Sequence, residues 1–263
     1  MRPHAAGRDD SCMAPTRLIS PELEEMLKLV GDADSVELKL TVPDEDRRSA
    51  AAALGVDPLN ARIRQVYFFD TPDLALDGAG VVVRARRTQG APDDTVIKLR
   101  PVVPDDLPRE LRERKDFVVE VDAMPGKYVC SASFKGQAKA GAVTETVSGG
   151  RPLRKLFSKS QRAFFADHAP RGVRLDDLSV LGPVIALKLK VLPAGLGRKL
   201  AVELWLYPDG SRIAELSTRC APGEWIETTT QSRDFLADLG VSLTGEQATK
   251  TRVALEYFAG LHG

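Results

Sequence analysis

The stretch Val81–Arg100 constrains this chain more than any other, because it sets four cations on one side of two adjoining strands. Its first half reads VVVRARR. Side chains alternate along an extended strand, so Val82, Arg84 and Arg86 share one face while Val81, Val83 and Ala85 share the other. Its second half, TVIKLR, repeats the arrangement: Val96, Lys98 and Arg100 lie on one face, Ile97 and Leu99 on the opposite one. Gly90, Pro92 and two aspartates between the halves predict a hairpin-like connection. Like charges on adjacent strands repel, so this face needs either open solvent or a matching anion.

The same habit recurs along the chain. Segments 36–41, 117–122, 186–191, 201–206 and 213–217 each predict a strand with one apolar face and one charged face, and 63–69 predicts a strand rich in β-branched and aromatic residues. The charged faces carry the cations Lys39, Arg84, Arg86, Lys98, Arg100, Lys188 and Lys190 and the anions Glu37, Glu120, Asp122, Glu203 and Glu215. Any single strand of this kind belongs to an ordinary antiparallel sheet with a wet side. Repetition changes the reading. Paired cations two residues apart, together with helices expected at 20–31, 43–55, 152–168, 233–239 and from Thr244 to Ala259, point to a sheet that closes with its charged side inward.

Composition sets the remaining bounds. Lysine plus arginine and aspartate plus glutamate number 37 each in 263 residues, so net charge gives no argument for a nucleic acid or a membrane as partner. Cys12, Cys130 and Cys220 form no CxxC pair, which suits free thiols in a reducing cytoplasm. Residues 1–19 read as a flexible tail without a secretory apolar segment, and 20–263 as a single domain with a flexible insertion near 125–150, where Gly, Ser, Ala and Thr dominate. His4, His168 and His262 lie apart, and no GxSxG, P-loop, HExxH or GxGxxG segment occurs. The basic face of Arg151, Arg154, Lys155, Lys159 and Arg162 reads as a solvated helix surface before a contact for RNA or an acidic partner, and Trp205 as filler of the interior before a ring that stacks on a base or a thiazole-like ring.

Clustered Arg and Lys suit a phosphate chain, since guanidinium forks fit phosphate oxygens and each close pair gains about 4 kcal/mol before desolvation at an effective dielectric near 20. Carboxylates beside them suit Mg²⁺ or Mn²⁺ bridging to phosphate. With these residues in view, VELKLTV, YFFDTPDLAL with GAGVVVRARR, TVIKLRP, AVELWLYPDG with AELS, and the late TKTR resemble the CYTH or triphosphate tunnel metalloenzyme superfamily. The resemblance spans most of 36–258. It implies an antiparallel closed β-barrel of about eight strands with helices packed outside, cations that grip a triphosphate, and glutamates that hold the metal. On that basis Glu37 and Lys39 match the opening ExExK motif, Arg84, Arg86, Lys98 and Lys190 match tunnel cations, Glu203 and Glu215 match late acidic positions, and Lys250 matches a lysine of the final helix. Two positions depart from the pattern, with Ser35 and Ser217 standing where each carboxylate pair has its other member.

The expected function is metal-dependent hydrolysis of a triphosphate, inorganic triphosphate foremost. Glu37, Lys39 and Lys250 are the expected catalytic residues, Lys39, Arg84, Arg86, Lys98, Arg100, Lys188 and Lys190 the substrate grip, and Glu37, Glu203 and Glu215 the ligands of Mg²⁺ or Mn²⁺. A class IV-like adenylate cyclase and a non-catalytic triphosphate- or polyphosphate-binding protein remain open.

Overall fold

Alternating apolar residues build nine strands in the computed structural model, which describes residues 21–242, 247 and 249–260. They are β1 Ser35–Val42, β2 Arg62–Asp70, β3 Val81–Thr88, β4 Ala91–Leu99, β5 Phe117–Met124, β6 Lys127–Ala138, β7 Ser179–Val191, β8 Leu200–Leu206 and β9 Arg212–Cys220. Their order around the sheet is β1-β5-β6-β4-β3-β2-β7-β8-β9, and β9 pairs with β1 to close a barrel. The barrel is mixed rather than purely antiparallel. β1 and β5 run parallel, with Glu37 opposite Asp122, because β1 reaches β5 only through the intervening strands.

The region 125–150, expected to be a flexible insertion, instead supplies β6 and a short helix. Small residues have little strand preference of their own, but β6 is hydrogen-bonded on both sides, to β4 and β5. Pairing decides its structure. Gly136 on this strand has a packing reason: an added Cβ would lie 2.6 Å from Gln161 Oε1 and 2.7 Å from Thr95 Oγ1.

The helices are α1 Pro21–Gly31, α2 Arg47–Ala53, α3 Ala75–Gly78, α4 Arg109–Arg112, α5 Ala142–Val147, α6 Lys159–His168, α7 Trp225–Asp238 and α8 Lys250–Gly260. The predicted helix 152–168 divides into a 3₁₀ turn at Leu153–Leu156 and α6, because Ser158 and Gln161 form a capping box that starts a new helix. The capping box expected at Thr244 lies outside the described residues, as do the tail, Ser20, His4, Cys12 and His262. Among the described residues no helix is long and apolar enough to cross a membrane.

Two apolar layers follow from the two faces of the strands. Outside the barrel, Val83, Ile97, Val121, Ala132 and Phe134 pack under Val143, Phe164 and Phe165 of α5 and α6. Phe117, Phe134 and Phe164 form a ring cluster with centroids 5.5–5.8 Å apart. Burial of each such ring stabilises by roughly 1.5–3 kcal/mol. Inside, Val66, Phe68, Ala186 and Trp205 pack against Ala254, Leu255 and Phe258 of α8. That helix therefore closes one mouth of the barrel, with its first residue, Lys250, at the edge of the cavity.

Candidate functional site

The barrel interior above this apolar floor is a charged cavity of about 840 Å³, within the range of about 300–1,000 Å³ common for small-molecule sites. Among the described residues ten Lys and Arg side chains and seven carboxylates line it, an excess of three cations. The period-two reading holds residue by residue. Glu37 and Lys39 of β1, Arg84 and Arg86 of β3, Lys98 of β4, Arg100 just beyond it, Lys188 of β7, Glu203 of β8 and Glu215 of β9 all reach the cavity, as does Lys250.

Lys190 does not. It shares a face with Lys188, but β2 pairs with β7 only as far as Arg62 opposite Lys188, so Lys190, paired on the β8 side alone, lies past the end of β2 and is exposed. Conversely, Arg64, Asp94, Lys135 and Arg219 line the cavity although they are absent from the residues expected there. Arg64 is in phase with Val66 on β2, and Arg219 with Glu215 and Ser217 on β9. The alternation contains both. Arg64 is masked by the apolar run that follows it, and Arg219 lies two residues beyond the predicted end of its strand at Ser217.

The charges are segregated around the barrel. The contiguous strands β4, β3, β2 and β7 present Lys98, Arg84, Arg86, Arg64 and Lys188 with a single aspartate, Asp94, which takes both Arg86 Nε and a terminal nitrogen at 2.9 Å. The contiguous strands β8, β9, β1 and β5 present Glu203, Glu215, Glu37, Glu120 and Asp122. Cations reach these carboxylates from several directions. Asp122 is met by Lys39 at 2.8 Å, Lys98 at 3.5 Å and Arg100. Glu37 is met by Lys39 at 3.3 Å and Arg219 at 3.8 Å, and accepts a hydrogen bond from Ser217 Oγ at 3.3 Å. Arg219 also pairs with Glu120.

Electrostatics differ between the halves. Burial pushes the Glu37 carboxyl up, but Lys39 and Arg219 outweigh it and bring its pKa down to about 2. Burial likewise opposes ionisation of Glu203, and the ammonium groups of Lys250 and Lys188 hold it far below the carboxylate range. Among the described residues Arg84 has no carboxylate within ion-pair distance, and its Nε has no hydrogen-bond partner. Burial, then the neighbouring Arg86, pushes its pKa down to about 9. Burial and the charges of Arg100 and Lys39 also drive Lys98 well below the ordinary lysine value. An anion in the cavity would relieve these crowded cations, Arg84 above all.

The expected metal ligands are arranged otherwise than a divalent ion requires. Mg²⁺ takes six oxygens in near-ideal octahedral geometry. Glu203 lies directly opposite Glu215 in the β8–β9 register, yet the Lys250 ammonium stands between them, 2.7 Å from Glu215 and in contact with Glu203. Glu203 is held further by Lys188 at 2.5 Å and by Trp205 Nε1 at 3.1 Å. Among the described residues no three His, Cys, Asp or Glu side chains converge as a metal-holding group. As placed, the donor set does not fit Mg²⁺ or Mn²⁺.

Features outside the tunnel have structural partners. Arg154 of the basic segment pairs with Asp176, Arg151 lies 3.6 Å from Glu145, and Arg162 donates to the Phe157 carbonyl at 2.9 Å. His168 Nδ1 sits 2.8 Å from the Phe164 carbonyl at the end of α6. Cys130 and Cys220 are buried free thiols.

No protein-family model matches this sequence, and no curated protein matches it significantly. Solved structures do. A candidate adenylate cyclase from Bacillus halodurans aligns with a TM-score of 0.59 at 13% identity, over 84% of this chain and 97% of that one. A candidate adenylyl cyclase from Hippeastrum, whose structure is described as revealing a dominant triphosphatase activity, aligns with a TM-score of 0.59 at 17% identity, over 84% of this chain and 95% of that one. At such identities the likeness is one of fold: a closed β-barrel with helices around it.

Proposed function

We propose that this chain binds the phosphate chain of a triphosphate in its tunnel and hydrolyses a phosphoanhydride bond, with inorganic triphosphate as the favoured substrate. The observation that carries the reading is the contiguous basic half of the barrel, where Arg84 lies half-buried beside Arg86 and Arg64, its Nε enclosed and, among the described residues, no carboxylate within ion-pair distance. A linear polyanion with several adjacent charges suits a row of guanidinium and ammonium groups better than a single carboxylate does.

In this reading Arg64, Arg84, Arg86, Lys98 and Lys188 bind and orient the phosphates. They also stabilise the charge that grows on the leaving phosphate oxygen as the bond to phosphorus breaks. Glu37 is ionised at neutral pH, and the Ser217 hydroxyl and Lys39 hold its carboxylate in place. It is the group that orients an attacking water from the opposite wall. Lys39 and Arg100 gather around Asp122, where they complete the grip at the boundary between the halves. Lys250 secures Glu203 and Glu215. The similarity to a structure described as having dominant triphosphatase activity supports this reading.

A second reading has its own observation: the carboxylates of the acidic half are engaged with Lys or Arg, which favours a protein that binds triphosphate without turning it over. The cyclase reading rests on the candidate adenylate cyclase that shares the fold. One assay separates the three. The protein is incubated with inorganic triphosphate and with ATP, binding is followed by calorimetry, and orthophosphate, pyrophosphate and cyclic AMP are quantified. Orthophosphate from triphosphate is the expected result. Cyclic AMP with pyrophosphate would replace hydrolysis by cyclisation, binding without product would leave a binder, and no binding at all would overturn the proposal.

A further inference from the structure

Glu203 and Glu215 present an electrostatic problem that the chain solves internally. They sit opposite each other on adjacent antiparallel strands, both buried, where two like charges repel strongly. The positive charge between them comes from Lys250, whose ammonium contacts both carboxylates. Three features fix it there. Its backbone begins α8, whose Ala254, Leu255 and Phe258 are seated in the barrel mouth. Its ammonium lies 5.2 Å from the centre of the Trp205 ring, a cation–π distance. The same Trp205 directs its Nε1–H to Glu203. A divalent ion entering between the carboxylates would have to expel a largely enclosed ammonium and leave it unpaired, which is costly.

We propose that Lys250 is a tethered cation that takes the place of a divalent metal between Glu203 and Glu215, so that the tunnel accepts a phosphate chain without Mg²⁺ or Mn²⁺. The inference deepens the proposed function and rests on it for the nature of the ligand. Its metal test stands apart from that reading. An ammonium supplied by the protein is not removed by chelators, whereas a bound ion would be.

The experiment has two parts. Mn²⁺ binding is followed by the electron paramagnetic resonance signal of the free ion, for the unaltered protein, for Lys250→Met and for Lys250→Met combined with Glu215→Gln. The unaltered protein is expected to leave Mn²⁺ free, Lys250→Met to take up one ion with affinity at least about tenfold higher, and the double variant to lose that gain. Should Lys250→Met not fold, Lys250→Gln is read in the same way. In the second part, calorimetry of inorganic triphosphate binding to the unaltered protein is compared in EDTA and in Mg²⁺, with correction for the Mg²⁺–triphosphate complex. Binding retained in EDTA is expected. The inference is overturned if the unaltered protein binds Mn²⁺ as tightly as the variant, or if EDTA abolishes a triphosphate affinity that Mg²⁺ restores. Absence of triphosphate binding in both buffers would instead overturn the proposed function, while the Mn²⁺ titration of the unaltered protein would still decide the place of Lys250.

Discussion

The two halves of the tunnel wall are built from the same kind of strand and yet are electrostatic opposites. On β4, β3, β2 and β7 the cations outnumber the carboxylates, and among the described residues Arg84, half-buried, has none within ion-pair distance. On β8, β9, β1 and β5 the carboxylates dominate and are drawn into ion pairs by Lys39, Arg219 and Lys250. The acidic half has largely satisfied itself. In the basic half Arg64 and Lys188 reach Glu203, Arg86 reaches Asp94 and Lys98 reaches Asp122. That leaves Arg84, among the described residues, as the cation of that wall without a carboxylate within ion-pair distance, and a group so placed gains most from a ligand's charge. Affinity is thus expected to reside in one half and the geometry of the pocket in the other.

The largest test of that division is a pair of substitutions. Arg84→Ala should weaken inorganic triphosphate binding by about 30- to 100-fold, the value of a charge-assisted hydrogen bond to a buried anion. Glu215→Gln, on the opposite wall, should tighten it by no more than about tenfold, because it removes a negative charge near the ligand. Calorimetric titration reads both, and comparable losses in the two variants would dissolve the distinction between the halves.

Turnover should separate from binding at Glu37. Glu37→Gln is expected to lower kcat by about 100-fold, in the range of a positioned base or water-orienting group, with the dissociation constant of triphosphate little changed. An equal loss in both would make Glu37 a binding residue.

The pH dependence of affinity reports the basic half. Burial depresses the Lys98 ammonium, so as pH rises it loses its proton earlier than an ordinary lysine, and only the charged form attracts phosphate. Triphosphate affinity should therefore fall as pH rises toward the ordinary lysine value, by at most about tenfold per pH unit for one proton. Lys98→Arg, whose guanidinium holds its proton more strongly than an ammonium in the same place, should flatten that decline.

Stability in acid reports the other half. The Glu37 pKa is depressed from 4.5 in the unfolded chain to about 2 in the fold. Its contribution, roughly 3 kcal/mol, is fully present above the unfolded value and is lost as pH falls through the folded one. Urea unfolding across that acid window should show this loss, and Glu37→Gln should reduce its steepness. The smallest effect is expected at Lys190, where alanine should change stability by less than about 0.5 kcal/mol and leave binding unaltered, since the side chain lies outside the tunnel.

Much of this site is legible in the amino-acid sequence, because the alternation of side chains along a strand is local. Arg84 and Arg86 face one way and Val83 and Ala85 the other wherever β3 is placed. The same alternation places Glu37, Lys39, Lys98, Lys188, Glu203 and Glu215, and carried to the strand ends it reaches Arg64 and Arg219 as well. It fails at Lys190, whose phase is right but whose position beyond the β2 pairing only the register reveals. Composition fails at β6, where Gly, Ser and Ala suggest a loop and hydrogen bonds from two neighbours make a strand.

By itself, then, the sequence determined which side chains would share a face, that the shared faces would be charged, and that a closed barrel could hold them, since each depends on residue order within one strand. Only the tertiary structure decided which strands became neighbours, and that set basic residues along one wall, carboxylates along the other, and a lysine from a distant helix between Glu203 and Glu215. Pairing between segments far apart in the chain is a property of the closed sheet, and no local pattern encodes it.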